Sequence, residues 1–145
     1  MNALNKILEQ NIVVKSSTDN LEKIREFTKN AALQSGFDED SVGKIILAVD
    51  EACTNIIKHA YKFSPDGSIN ISIKFSEGKL AVSITDEGEH FDPTQIPEPD
   101  IREYYKQKRV GGLGMFLIKR LMDEVKYNTV TGNKNQVVLI KYLSQ

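Results

Sequence analysis

The sequence predicts an α+β fold: a two-layer sandwich in which a mostly antiparallel, mixed sheet is covered on one face by about three helices. Two segments carry that expectation. Ile69, Ile71, Ile73 and Phe75 alternate with polar residues, and Leu80, Val82 and Ile84 do so again beyond Glu77-Gly78-Lys79, the pattern of a hairpin with one buried face. Upstream, Val42, Ile45, Ile46, Val49, Cys53, Ile56 and Ile57 recur at helical spacing and mark one long apolar face running to about Tyr61.

The remaining elements follow in order. Ile12 to Lys15 is a short apolar run that reads as a strand, and the Ser16-Ser17-Thr18-Asp19-Asn20 cluster after it favours a helix start. Leu21, Ile24, Phe27 and Ala31 define a first helix that stops at Gly36, and Asp38 caps the second. Ser64-Pro65-Asp66-Gly67 is a turn leading into the hairpin. From Gly88 to Gly114 the chain carries Pro93, Pro97 and Pro99, many charges and no sustained period, which reads as a long functional loop or lid. A third helix is expected from Met115 to Val125. Two strands close the chain, Val125 to Thr131 and Gln136 to Tyr142, around Gly132-Asn133-Lys134-Asn135.

With 145 residues, 40% hydrophobic and 27% charged, the chain has the makeup of one folded globular domain spanning 1–145. Its 19 basic and 20 acidic side chains leave a formal charge of −1, so it lacks the basic footprint of a direct nucleic-acid binder. No apolar run is long enough to span a bilayer. The start MNALNKILEQNIVVKSS lacks the apolar core of a secretory signal, and the single Cys53 cannot form an internal disulfide. These observations predict a cytoplasmic protein with no membrane segment.

Three small motifs carry chemical potential. Glu51 and Asn55 lie four apart on the second helix, so they share a face, roughly opposite the apolar stripe. A carboxylate with an amide oxygen suits Mg2+, which takes oxygen ligands and shares phosphate oxygens. Asp86-Glu87-Gly88 ends the second hairpin strand with an acceptor suited to an exocyclic amine, and Gly88 leaves space for a ligand against the backbone. Gly111-Gly112-Leu113-Gly114 immediately precedes the third helix, where free amides and the helix dipole favour phosphate, with Lys106, Lys108 and Arg109 just upstream. Taken singly, each is also what a solvated helix face or a plain turn looks like. Cys53 falls on the apolar stripe and reads as core, and no clustered cysteines or histidines stand at zinc-ligand spacing.

The order of the three motifs is far more specific than any one of them. It resembles the N, G1 and G2 boxes of the GHKL superfamily, whose ATP-binding (Bergerat) fold is an α+β sandwich. Within it, LAVDEACTNIIKHAY (47–61), DEGEHFDP (86–93) and GGLGMFLIKRLMDEVKY (111–127) resemble the anti-sigma regulatory kinases of the RsbW type, and the likeness runs from about Thr18 to Leu143.

That resemblance implies ATP and Mg2+ as cofactors, with Glu51 the general base, Asn55 the Mg2+ ligand, Asp86 the acceptor for the adenine amine and Gly88 part of the base pocket. It further implies Gly111, Gly112, Leu113 and Gly114 as the phosphate-binding turn, with Arg109 beside it. The implied activity is transfer of the γ-phosphoryl group to a serine of a small anti-anti-sigma (STAS-type) partner, together with sequestration of a sigma factor; homodimers are common in such kinases. Two positions depart from the pattern. Relatives place an arginine directly before the small-Gly pair of the G2 box, where Val110 follows Arg109 here, and some carry a threonine in the last hairpin where this chain has Asn135 and Gln136. The competing readings are an ATP- and sigma-binding module without transfer, and a histidine-kinase catalytic domain. The latter normally works beside a helical hairpin bearing a phosphoacceptor histidine, and no histidine precedes the Glu51 helix.

Overall fold

A computed structural model of the chain describes residues 6–90, 114–130 and 132–144. Strand β1 (Leu8–Lys15) leads through a single 3-10 turn (Thr18–Asn20) into helix α1 (Leu21–Ser35) and helix α2 (Glu39–Asn55). Strands β2 (Ser68–Ser76) and β3 (Lys79–Asp86), helix α3 (Gly114–Leu121) and strands β4 (Glu124–Val130) and β5 (Lys134–Tyr142) follow.

Local chemistry sets most of these boundaries. Gly36 ends α1 in the left-handed region at φ 101°, its N–H donating back to the Ala32 and Leu33 carbonyls. Asp38 accepts the Ser41 N–H at 2.8 Å and opens α2. Glu77 and Gly78, both at positive φ, form the two-residue turn that joins β2 to β3.

All five strands form one sheet in the order β1-β2-β3-β5-β4, and every pairing is antiparallel. Its inward positions, Ile69, Ile71, Ile73 and Phe75 on β2 with Leu80, Val82 and Ile84 on β3, are fully buried and share one core with the three helices. α2 sits centrally in the helical layer, packed against both α1 and α3. Thr28 and Ser35, buried on α1, return their hydroxyls to the Ile24 and Ala31 carbonyls at 2.8 Å, so the core holds no unsatisfied hydroxyl there.

Three boundaries differ from the sequence expectation. β1 begins at Leu8 rather than Ile12 because Leu8, Gln10, Ile12 and Val14 all continue one pairing register with β2; polar Gln10 on the inward side and apolar Val13 on the exposed side mask the alternation, as an edge strand permits. The second helix is α-helical only to Asn55. From Ile56 to Ala60 it widens into a π-type turn, with the Tyr61 N–H donating to the Ile56 carbonyl at 3.0 Å. The third helix ends at Leu121, not Val125. Lys141 Nζ caps the Leu121 carbonyl at 2.9 Å, the Asp123 N–H donates to the Ile140 carbonyl at 2.9 Å, and β5 thereby draws the chain into the sheet.

Candidate functional site

The alternation that buries Leu80, Val82 and Ile84 continues for one more step, and the residue that arrives on the inward face is Asp86. It is 3% exposed, at the end of β3, opposite Ile69 on β2 and Asn135 on β5. A buried carboxylate costs several kcal/mol unless it is hydrogen-bonded. Here the Gly88 N–H donates to Oδ1 at 2.9 Å and Asn135 Nδ2 donates to the same oxygen at 3.1 Å. Among the described residues both of these bonds fall on Oδ1 and neither on Oδ2. Burial pushes the carboxyl above the usual aspartate range, opposed by the Asn135 and Gly88 hydrogen bonds and by His90.

Asn135 is the buttress of this corner. Its amide nitrogen also donates to the Gly88 carbonyl at 3.1 Å, and its amide oxygen lies 3.1 Å from His90 Nδ1. Gln136 turns away to bond Thr85 Oγ1 at 3.2 Å.

Glu51 and Asn55 share a face of α2 as the spacing requires, but that face is half-buried rather than solvated, because α2 lies between its neighbours. Burial raises the Glu51 carboxyl above its ordinary range, and the adjacent Asp50 charge raises it further. Asp50 is itself paired with Arg25 of α1 at 3.1 Å. A half-buried carboxylate and amide oxygen one helical turn apart fit Mg2+, which draws its other oxygens from phosphate and water. Cys53, one helical turn after Val49 on the apolar stripe, is fully buried as core, with burial holding its thiol strongly towards the neutral form.

The two motifs are bolted together where α2 ends. Gly88 lies directly on Ala60: a Cβ built on it would sit 2.7 Å from the Ala60 carbonyl oxygen and 2.8 Å from the Ala60 Cβ. The neighbouring Glu89 N–H donates to that carbonyl at 2.8 Å, and Lys62 pairs with Glu89 at 3.0 Å. The space that glycine opens at position 88 is therefore filled on this side by the helix end. Gly114 is the first residue of α3; Arg109, Gly111, Gly112 and Leu113 lie outside the described residues.

Residues 14–141, nearly all of this arrangement, match the family described as histidine kinase-like ATPase domain. The chain belongs to that family. Within it the chain is 38% identical over 118 residues to a serine-protein kinase RsbW of Listeria monocytogenes, covering 79% of this chain and 74% of the relative. It is 36% identical over 126 residues to the serine-protein kinase RsbW of Bacillus subtilis, covering 83% and 77%. It is therefore a member of the RsbW serine-protein kinases.

Solved structures agree at the level of the fold. The structure of RsbU and RsbW domains from Mycobacterium tuberculosis superposes with a TM-score of 0.68 at 16% identity, over 95% of this chain and 33% of that longer one. The SiaB-SiaC complex from Pseudomonas aeruginosa gives 0.63 at 17% identity, over 94% of this chain and 90% of its counterpart. As a histidine kinase-like ATPase domain and RsbW-type kinase, the protein is an ATP-dependent enzyme. No helix among the described residues is long and apolar enough to cross a membrane.

Sequence reasoning missed two parts of this site. Ala60 read only as the end of an apolar helix, and Asn135 carried no assigned contact. The available signal was the Asp86 alternation: a carboxylate on an inward face demands donors, and an amide in the last hairpin is a natural supplier.

Proposed function

We propose that this chain is an ATP- and Mg2+-dependent serine-protein kinase of a partner-switching system, acting in the cytoplasm. It phosphorylates a serine of an anti-anti-sigma (STAS-type) partner and sequesters a sigma factor. The observation that carries the reading is the placement of Glu51. Its half-buried carboxyl, its pKa raised by burial and then by the Asp50 charge, stands one turn before Asn55, on the helix whose end holds the Asp86 corner.

In this reading Asp86 Oδ2 receives the adenine amine while Gly88 and Ala60 wall the base. Asn55 offers its amide oxygen to Mg2+, which supplies charge neutralisation at the phosphates when bound. Gly111, Gly112, Leu113 and Gly114 present backbone amides to the phosphates, and Arg109 adds positive charge. Glu51 accepts the serine proton as the Oγ–phosphorus bond forms and the bond to the β–γ bridging oxygen breaks, releasing ADP. A base with a raised pKa is better matched to that task at neutral pH than an ordinary glutamate.

The test is transfer from γ-labelled ATP to a STAS-domain protein bearing its serine or an alanine in its place, beside calorimetric titration of the kinase with ATP and GTP in Mg2+ and in EDTA. Selective, Mg2+-dependent ATP binding with serine-dependent labelling is expected. ATP binding without labelling would reduce the protein to an ATP-dependent binding module.

A further inference from the structure

Beyond β3 the Glu87 N–H has no ladder partner, and the group that takes it is a side chain from elsewhere. Tyr61, where α2 gives out, accepts that N–H on its hydroxyl at 2.8 Å and donates the hydroxyl proton to the Ser68 carbonyl at 2.6 Å. The ring lies flat over Gly67, where a built Cβ would fall 2.6 Å from Tyr61 Cζ. Gly67 carries no positive φ in this chain, so the aromatic ring rather than backbone strain excludes a side chain there. Immediately after Tyr61 the backbone reverses through Lys62 and Phe63 at φ 48° and 64°, a conformation costly for both residues, and the Phe63 N–H closes the reversal on the Ile57 carbonyl at 2.9 Å.

The Glu87 N–H and the Gly88 N–H that donates to Asp86 Oδ1 belong to consecutive peptides, joined at the Glu87 Cα. Anchoring the first leaves only the φ and ψ of Glu87 between a fixed peptide and the Gly88 N–H, and so narrows the positions from which that N–H can hold the Asp86 carboxylate.

We propose that Tyr61 is a positioning residue for nucleotide-base recognition: its hydroxyl, held over Gly67, fixes the Glu87 peptide and thereby aims the Asp86 carboxylate at an exocyclic amine. This rests on the assignment of Asp86 to the adenine amine. It adds a residue on a different element, at the end of the helix that carries Glu51 and Asn55, so base recognition and phosphate chemistry are tied to one helix.

The experiment compares ATP with purine riboside 5′-triphosphate, which lacks the exocyclic amine, by calorimetry on the full chain, wild type and Tyr61→Phe. Phenylalanine keeps the ring on Gly67 and deletes only the hydroxyl. ATP affinity is expected to fall about 5- to 10-fold, the worth of one hydrogen bond, with the amine-free nucleotide unaffected, so that the ratio between them collapses. In an Asp86→Ala background the same substitution is expected to leave both affinities unchanged. Gly67→Ala, which keeps the hydroxyl on the side chain but displaces the ring that carries it, reports independently and is expected to lower the ratio as well. A wild-type preference for ATP that survives intact in Tyr61→Phe, or a uniform loss for both nucleotides, overturns the proposal and leaves the Asp86 assignment standing. Equal binding of both nucleotides by the wild type overturns the Asp86 assignment and this proposal together.

Discussion

Gly88 rests on the carbonyl oxygen of Ala60 so closely that a Cβ there would lie 2.7 Å away. The obstructing atoms are mainly helix-end backbone, which cannot swing aside as a flexible side chain would. Gly88→Ala is therefore expected to destabilise the fold by about 1–3 kcal/mol, the usual cost of overpacking, and to weaken ATP binding because the Asp86 corner moves with it. Urea denaturation and calorimetry measure the two effects; an unchanged midpoint would mean that the contact yields.

Glu51→Gln preserves shape and removes the base. Transfer is expected to drop about 10²- to 10⁴-fold with nucleotide affinity retained; a rate within a few-fold of wild type would remove Glu51 from the chemistry.

The pH profile tests the same group independently. Because burial and then Asp50 raise its pKa, and because the base works deprotonated, the transfer rate should climb with pH through a limb lying above the ordinary glutamate value of about 4.3. Asp50→Asn removes the second cause, so the limb is expected to move to lower pH without reaching the ordinary value, since burial persists. A limb that stays in place would show that the Asp50 charge is screened.

Asp86→Asn separates function from stability. The folded state holds the Asp86 proton more tightly than the unfolded chain does, because burial outweighs the hydrogen bonds to it. Its contribution to stability is thus greatest below the unfolded pKa of about 3.9 and is lost as pH rises through the folded value. At neutral pH the neutral amide should leave the urea midpoint equal or higher, an advantage that fades as pH falls through the folded value and is gone below about pH 4, while ATP-over-GTP selectivity falls. A clear loss of stability at neutral pH would contradict the sign.

Cys53 is fully buried on α2, and burial opposes its thiolate. Under native conditions it is expected to react with a thiol reagent only at the rate of unfolding, and at once in denaturant. Rapid native labelling would place it outside the core.

By itself the sequence determined the local elements and two of the three motifs' positions upon them. The 3.6 period put Glu51 and Asn55 on one face, and the two-residue period put Asp86 on the inward face of β3, since both are properties of a single element and its neighbours along the chain. The same periods say nothing of which elements meet. That β5 inserts between β3 and β4, that the helix widens after Asn55 to deliver Ala60 against Gly88, and that Tyr61 takes the orphan Glu87 N–H were decided only by the tertiary structure. Such contacts join residues tens of positions apart, and their geometry follows from how the whole core packs; an unpaired backbone donor has no mark in the sequence until the fold shows which side chain is within reach of it.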